Sequence, residues 1–198
     1  MIAWSVAAAQ AARLVDRTIV STDSPEIAET ARAAGGDVPF LRPPQLAEDQ
    51  SSIYDALFHA IDTLGGDYEW VVLLQATSPL RTGADIDAAL ELCENLGAPA
   101  CLSVTTPSKS PYWMYRMDEN GHLRHLLETP VPANRRQELP EAYVPNGAVY
   151  VARIDWLRSH RNFMSDETVA LVMPPERSID IDHRIDLLMA EALIAEQI

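Results

Sequence analysis

Ser178 to Asp182 reads SIDID, and few stretches of the chain bring so much possible chemistry together. In an extended segment residues two apart share a side, so Asp180 and Asp182 would present two carboxylates together while Ile179 and Ile181 face the core. Two carboxylates are costly to hold close unless a cation neutralises them, and hard oxygens of this kind suit Mg2+ bridged to a nucleotide phosphate. The same spacing suits Asp182 as a helix cap beside a solvated Asp180, with Asp186 a first-turn or surface charge. A second group is Val71 to Arg81, VVLLQATSPLR, where an unbroken apolar run ends abruptly in Gln75, Thr77, Ser78 and Arg81. That pattern is a buried strand whose polar tip lies at the carboxyl edge of a sheet, either as a ligand-binding edge or as an ordinary loop. A third is Arg135 and Arg136, able to clamp a carboxylate or phosphate or simply to decorate the surface, followed by the Asn146-Gly147 turn. A fourth pairs Arg42, in a proline-flanked loop, with Ser51 and Ser52 ahead of a helix, whose N-terminus suits an anion or is merely capped by a serine. The five histidines show no metal-ligand spacing.

The elements that must position these groups alternate. Ile2 to Leu14 reads as a helix and Thr18 to Ser21 as a short strand. Ser24, Pro25 and Glu26 then form a helix start that Gly35-Gly36 stops. Val38 to Pro44 is a short strand running into a loop, Ser51 to Leu64 a helix, and the strand at Val71 follows. A helix from about Asp85 to Leu96 and a buried strand from Ala100 to Thr105 come next. Tyr112 to Met117 and His122 to Leu127 flank the turn Asp118 to Gly121 as a hairpin. Gly147 to Ala152 and Thr168 to Met173 are further strands. Asp182 starts a last helix, with Ile185, Leu188, Met189, Ala192 and Leu193 on one face. Strands alternating with helices predict an α/β fold with a mostly parallel sheet, and the length suits one domain.

A net charge of −14 argues against a chain that wraps nucleic acid or lies on an anionic membrane. Lys109 is the only lysine, so the cations are arginines, suited to phosphate and carboxylate. No apolar run is long enough to span a bilayer, and MIAWSVAAAQAARLV has neither a basic leader nor a cleavage context. Cys93 and Cys101 are then expected as a buried, reduced pair in the cytoplasm.

LLQATSPLR followed by TGADIDAAL closely resembles a segment of the sialic acid (acylneuraminate) cytidylyltransferases. VSTDSPEIAE, FLRPPQLAED, SPYWMY, RRQELPEAYVPNGAVYV and SIDID resemble further motifs of that family, in the same order along essentially the whole chain. The resemblance implies a Rossmann-like sheet of the nucleotide-diphospho-sugar transferase type with a small β-hairpin dimerisation insertion over residues 106–143. It implies an enzyme that joins CTP to a nine-carbon acidic (nonulosonic) sugar, giving a CMP-sugar and pyrophosphate, as a cytoplasmic homodimer. Carried over by position, Gln75 would contact the sugar and Arg136 would reach in from the insertion. Asp180 and Asp182 would hold Mg2+, and Arg42 and Ser52 would face the nucleotide. Ser78, Arg81 and Asn146 join the substrate-binding set by the same resemblance. P-N-G at Pro145 to Gly147 looks more like the sialic and legionaminic branch than the pseudaminic one, although Val144 replaces the arginine usual before it. RRQ with PNGA argues against an enzyme of the eight-carbon sugar of lipopolysaccharide.

The resemblance also sets an expectation at the N-terminus. The family opens with a strand and a glycine-rich basic loop that cradles the CTP phosphates, whereas Met1 to Ser5 falls on the segment after that loop. Two readings follow: an N-terminally incomplete single nucleotidyltransferase domain over 1–198, or a truncated, non-catalytic homologue that binds sugar or CMP.

Overall fold

The computed structural model describes residues 1–127 and 135–196, without the side chain of Arg136. Six helices and six strands occur among them: α1 (Ile2–Ala11), α2 (Pro25–Ala33), α3 (Ile53–Leu64), β1 (Trp70–Leu73), α4 (Gly83–Leu96), β2 (Ala100–Thr105), β3 (Tyr115–Met117), β4 (Leu123–His125), β5 (Val144–Arg153), α5 (Ile154–His160), β6 (Thr168–Val172) and α6 (Arg184–Glu196). The main sheet has the order β1-β5-β2-β6. Strands β1, β2 and β6 run in one direction, and β5 lies antiparallel between β1 and β2. The sheet is therefore mostly parallel in strand direction, as the alternating pattern predicts.

Side-chain alternation along β2 and β5 sorts the core onto the two faces of the sheet. Cys101, Val149 and Val151 point to α1 and α4 and pack with Ile86, Ala89 and Leu90. Ala100, Leu102, Val104 and Ala152 point to α3 and α5 and pack with Phe58, Leu157 and Phe163. Both cysteines are free and buried, as expected. A third cluster, Val6, Val20, Ala28, Ala31 and Val38, joins α1 to α2.

Local signals explain most helix boundaries. Ser24 accepts the Ile27 amide and caps α2, and Ser52 accepts the Tyr54 amide and caps α3. Helix α4 begins two residues before the expected start, because Thr82 and Asp85 form a capping box. Asp87, one turn into α4, accepts the amides of Arg13 and Leu14 at 2.8 and 2.9 Å. It thereby ties the end of α1 to α4. The two helices approach so closely that a Cβ on Gly83 would stand 2.6 Å from the carbonyl carbon of Ala11.

Several expectations do not hold. Of the strands expected over Thr18–Ser21 and Val38–Pro44, the first keeps only a parallel bridge from Ile19 to Asp37 and the second forms no strand. SIDID is irregular rather than extended strand, because Ser178 turns back onto Pro174 and Ile181 bonds a loop. Helix α6 begins at Arg184, two residues later than expected, and the amides of Asp182 and His183 are accepted by Asp186. Its apolar stripe does not face the core: only Ala190 is buried, while Ile185, Leu188 and Met189 are exposed. Helix α5 carries no strong start signal and is absent from the sequence reading.

Strands β3 and β4 form a separate two-stranded sheet, with the turn held by Asp118 Oδ1 accepting the amides of Asn120 and His122. Trp113, Met114, Tyr115, Met117, Leu123 and Leu126 are all exposed there. Among the described residues no helix is long and apolar enough to cross a membrane.

Gly83→Ala forces two backbones apart and is expected to cost about 2 kcal/mol, the range of an overpacked core. Thermal unfolding should report this as a midpoint lower by roughly 5 °C for a chain of this size.

Candidate active site

The candidate site is built on an irregularity in β5. Pairing of β2 with β5 runs from Ala100–Ala152 to Leu102–Tyr150 and resumes at Val104–Pro145. Four residues of β5, Asn146 to Val149, thus stand opposite the single Ser103. Such a bulge would orphan ladder groups in the core. Side chains take their place: Ser103 Oγ accepts the Val149 amide at 2.7 Å and donates to Asn146 Oδ1 at 2.6 Å. Asn146 Oδ1 also accepts the Ala148 amide, and Asn146 Nδ2 donates to Ser178 Oγ at 2.8 Å. The amide of Asn146 is therefore committed to the framework.

Within the bulge Gly147 adopts φ +73°, the left-handed region that favours glycine. A Cβ there would lie 2.5 Å from Gln75 Oε1, 2.9 Å from Ser78 Oγ and 3.2 Å from Asp180 Oδ2. Three groups from two segments remote in sequence, the Gln75–Ser78 loop and Asp180, thus meet over one bare α-carbon. The place is the carboxyl edge of the sheet: Gln75 follows β1, Asp180 follows β6, and Gly147 lies on β5 at the same end.

Charge at this edge is arranged in depth. The Arg81 guanidinium is buried at 3% exposure and donates to Ser5 Oγ at 2.8 Å and to the carbonyl of Gln75. Burial pushes it down to about 10, a fall opposed by the nearby charges of Asp180 and Asp85. It remains a cation at neutral pH, behind the Gln75 loop. Asp180 Oδ1 is buried with no hydrogen-bond partner. Burial first, then the charge of Asp180 and Tyr54, raises the Tyr150 phenol. An orphaned, buried carboxylate oxygen suits a hard cation, so the residues present fit Mg2+ at Asp180. Asp182 is exposed beside it.

A second hollow, of about 180 Å³, lies at the N-terminus of α3 and is lined by Arg42, Ser51, Ser52 and Ile53. Arg42 reaches Asp23 at 3.6 Å, and its buried Nε has no partner. A larger cavity of about 480 Å³ opens past the end of β2, between Thr106, Ser110, Gln137 and Tyr143.

Residues 1–155 match the model of a family described as cytidylyltransferase. The chain belongs to that family. It is 31% identical over 202 residues to the CMP-N,N'-diacetyllegionaminic acid synthase of Legionella pneumophila, covering 98% of this chain and 84% of that one. It is 30% identical over 190 residues to the N-acylneuraminate cytidylyltransferase of Escherichia coli, covering 96% of this chain and 45% of that protein. The chain therefore spans less than half the length of the E. coli relative. The fold is shared with CMP:2-keto-3-deoxy-manno-octonic acid synthetase, solved with CTP, at a TM-score of 0.71 and 16% identity over all of this chain and 88% of that one.

Within the cytidylyltransferase fold the expected residues separate into two layers. Gln75 and Asp180 face the meeting point, and Arg42 and Ser52 line the smaller hollow. Ser78 Oγ, which donates to the carbonyl of Asn146, stands at the same point, and Arg81 and Asn146, buried behind it, make their described hydrogen bonds inside the fold. The side chain of Arg136 lies outside the described residues.

Asp85, Arg177 and Tyr150 escape the sequence reading. Thr82-x-x-Asp85 carries a capping-box signal, whereas nothing marks Arg177. Asp85 is nearly buried, and burial alone would raise its carboxyl. Hydrogen bonds from Arg177 and Thr82 outweigh that and hold it below the usual carboxylate range. An unfolded aspartate titrates near about pH 4, so the stability Asp85 contributes is present above that pH. It is lost as pH falls through the lower folded value. Acid unfolding followed by circular dichroism should therefore be steeper below about pH 4 in the native chain than in Asp85→Asn. Parallel curves would show that Asp85 is not held low.

Proposed function

We propose that this cytidylyltransferase couples CTP to a nonulosonic acid of the sialic or legionaminic type, releasing pyrophosphate and forming a CMP-sugar. The observation that carries the reading is the convergence of Gln75 and Asp180 over the α-carbon of Gly147. Relatives named for N-acylneuraminate and N,N'-diacetyllegionaminic acid support the sugar class. The anomeric oxygen forms a bond to the α-phosphorus, the bond from that phosphorus to the bridging oxygen breaks with its electron pair leaving on pyrophosphate, and the hydroxyl proton passes to solvent.

Each residue has a task in this reading. Arg42 and the α3 N-terminus at Ser52 take the nucleotide, because a guanidinium and the positive end of a helix suit anionic groups. Gln75 orients the sugar through hydrogen bonds that the buried Arg81 pre-sets by holding the carbonyl of the same residue. Asp180 and Asp182 would hold Mg2+, which when bound offsets the charge developing on the phosphates. By resemblance, Arg136 would meet the sugar carboxylate. The exposed apolar hairpin β3–β4 favours a homodimer, placed by this reading in the cytoplasm.

Asp180→Asn is expected to cut Mg2+-dependent formation of CMP-sugar by about tenfold or more, equivalent to about 1.4 kcal/mol of transition-state stabilisation. Unchanged turnover with CTP and N-acetylneuraminic acid would remove Asp180 from the metal site. Arg136→Ala should raise the KM for sugar much more than that for CTP, and equal effects would place Arg136 elsewhere.

A further inference from the structure

Two segments must hold a fixed distance for Gln75 and Asp180 to meet, and a single buried carboxylate touches the anchors of both. Asp85 Oδ2 accepts the amide of Thr82 at 2.9 Å and its hydroxyl at 2.8 Å. That fixes the chain leaving the loop that bears Gln75, Thr77 and Arg81. The same carboxylate accepts Arg177 Nε at 3.1 Å and Nη2 at 2.9 Å. Arg177 is three residues before Asp180. The pairing is bidentate, which adds angular restraint to attraction.

The segment after Arg177 is held at further points. Ser178 accepts Asn146 Nδ2 and donates to the carbonyl of Pro174 at 2.8 Å. The Ile181 amide donates to the carbonyl of Thr77 at 2.8 Å. Asp180 is thus suspended between an anchor at Arg177 and Ser178 and an anchor at Ile181. The second anchor lies on the loop whose exit Asp85 secures. Without Arg177, the Pro175–Arg177 turn loses its tie to α4, and among the described residues the buried Asp85 keeps only Thr82 as a hydrogen-bond donor.

We infer that Asp85 and Arg177 form a positioning clamp that sets Asp180 against Gln75, neither residue touching substrate. This deepens the proposed cytidylyl transfer and rests on it for its kinetic consequence. Arg177 is partly exposed on a 3-10 turn, so its replacement perturbs less core than replacement of Asp85.

The test uses the full chain carrying Arg177→Gln and, separately, Arg177→Lys, each checked by thermal unfolding. Hydrogen exchange is read first, because it needs no activity. Exchange in 178–182 and 75–82 is expected to rise by about tenfold in Arg177→Gln, with β2 and β5 unchanged. With CTP, Mg2+ and N-acetylneuraminic acid, kcat should fall by about tenfold or more while the KM for CTP stays within about twofold, in the range seen when the support of a metal ligand is removed. Arg177→Lys should restore part of both, since it returns charge but not the fork. Unchanged exchange in the two segments overturns the clamp, as does a uniform rise throughout the sheet. Normal kcat in an active Arg177→Gln enzyme overturns it as well. A wild type that gives no product refutes the proposed reaction, and the exchange result then judges the clamp by itself.

Discussion

The satisfied amide of Asn146 is the interaction on which the rest of the site depends. It lies within a bulge where four residues of β5 face one of β2, and a buried ladder interrupted in this way is costly unless its polar groups find partners. Ser103 and Asn146 supply them, and Asn146 extends the network to Ser178. The bulge is what allows Gly147 its positive φ and turns its α-carbon toward Gln75, Ser78 and Asp180. A regular strand there would present a side chain to the edge and close the space.

Around that hub the charges are layered. Arg81 and Arg177 oppose Asp85 and Asp180, so the buried part of the edge is close to neutral within a chain of net charge −14. Buried ions survive when they are paired and hydrogen-bonded, and Asp85, with its donors from Thr82 and Arg177, meets that condition. Asp180 does not meet it completely, since one oxygen is buried without a partner. Deficits of this kind concentrate at functional sites. Asp85 in the inner layer is fully paired, whereas Asp180 Oδ1 and Arg81 Nε keep unspent hydrogen-bonding capacity.

Much of the fold was legible because its signals are local. Ser24 with Pro25, Ser52 before Ile53, and Gly97 after Leu96 mark helix ends through their own side chains or backbone freedom. The apolar runs at Trp70–Leu73 and Ala100–Thr105 are strands where the pattern placed them. The hairpin follows from Asp118 to Gly121, whose turn bonds are made within five residues. Failures occur where structure depends on partners remote in sequence. Thr18–Ser21 has strand character but only a one-residue bridge, and most of the apolar stripe of α6 is not covered by the described residues.

The sequence by itself determined the residue types at the sheet edge, the strands and caps that deliver them, and the family to which the chain belongs. These are legible because strand alternation, capping and turn chemistry act over a few residues. Only the tertiary structure decided which side chains face outward. Gln75, Ser78 and Asp180 meet over Gly147, while Arg81 and Asn146 make hydrogen bonds inside the frame. It also decided that Asp85 and Arg177, 92 positions apart, share a bond. Whether a polar side chain is spent inside the fold or kept for a ligand depends on neighbours brought in from distant segments, and no spacing along the chain encodes that choice locally.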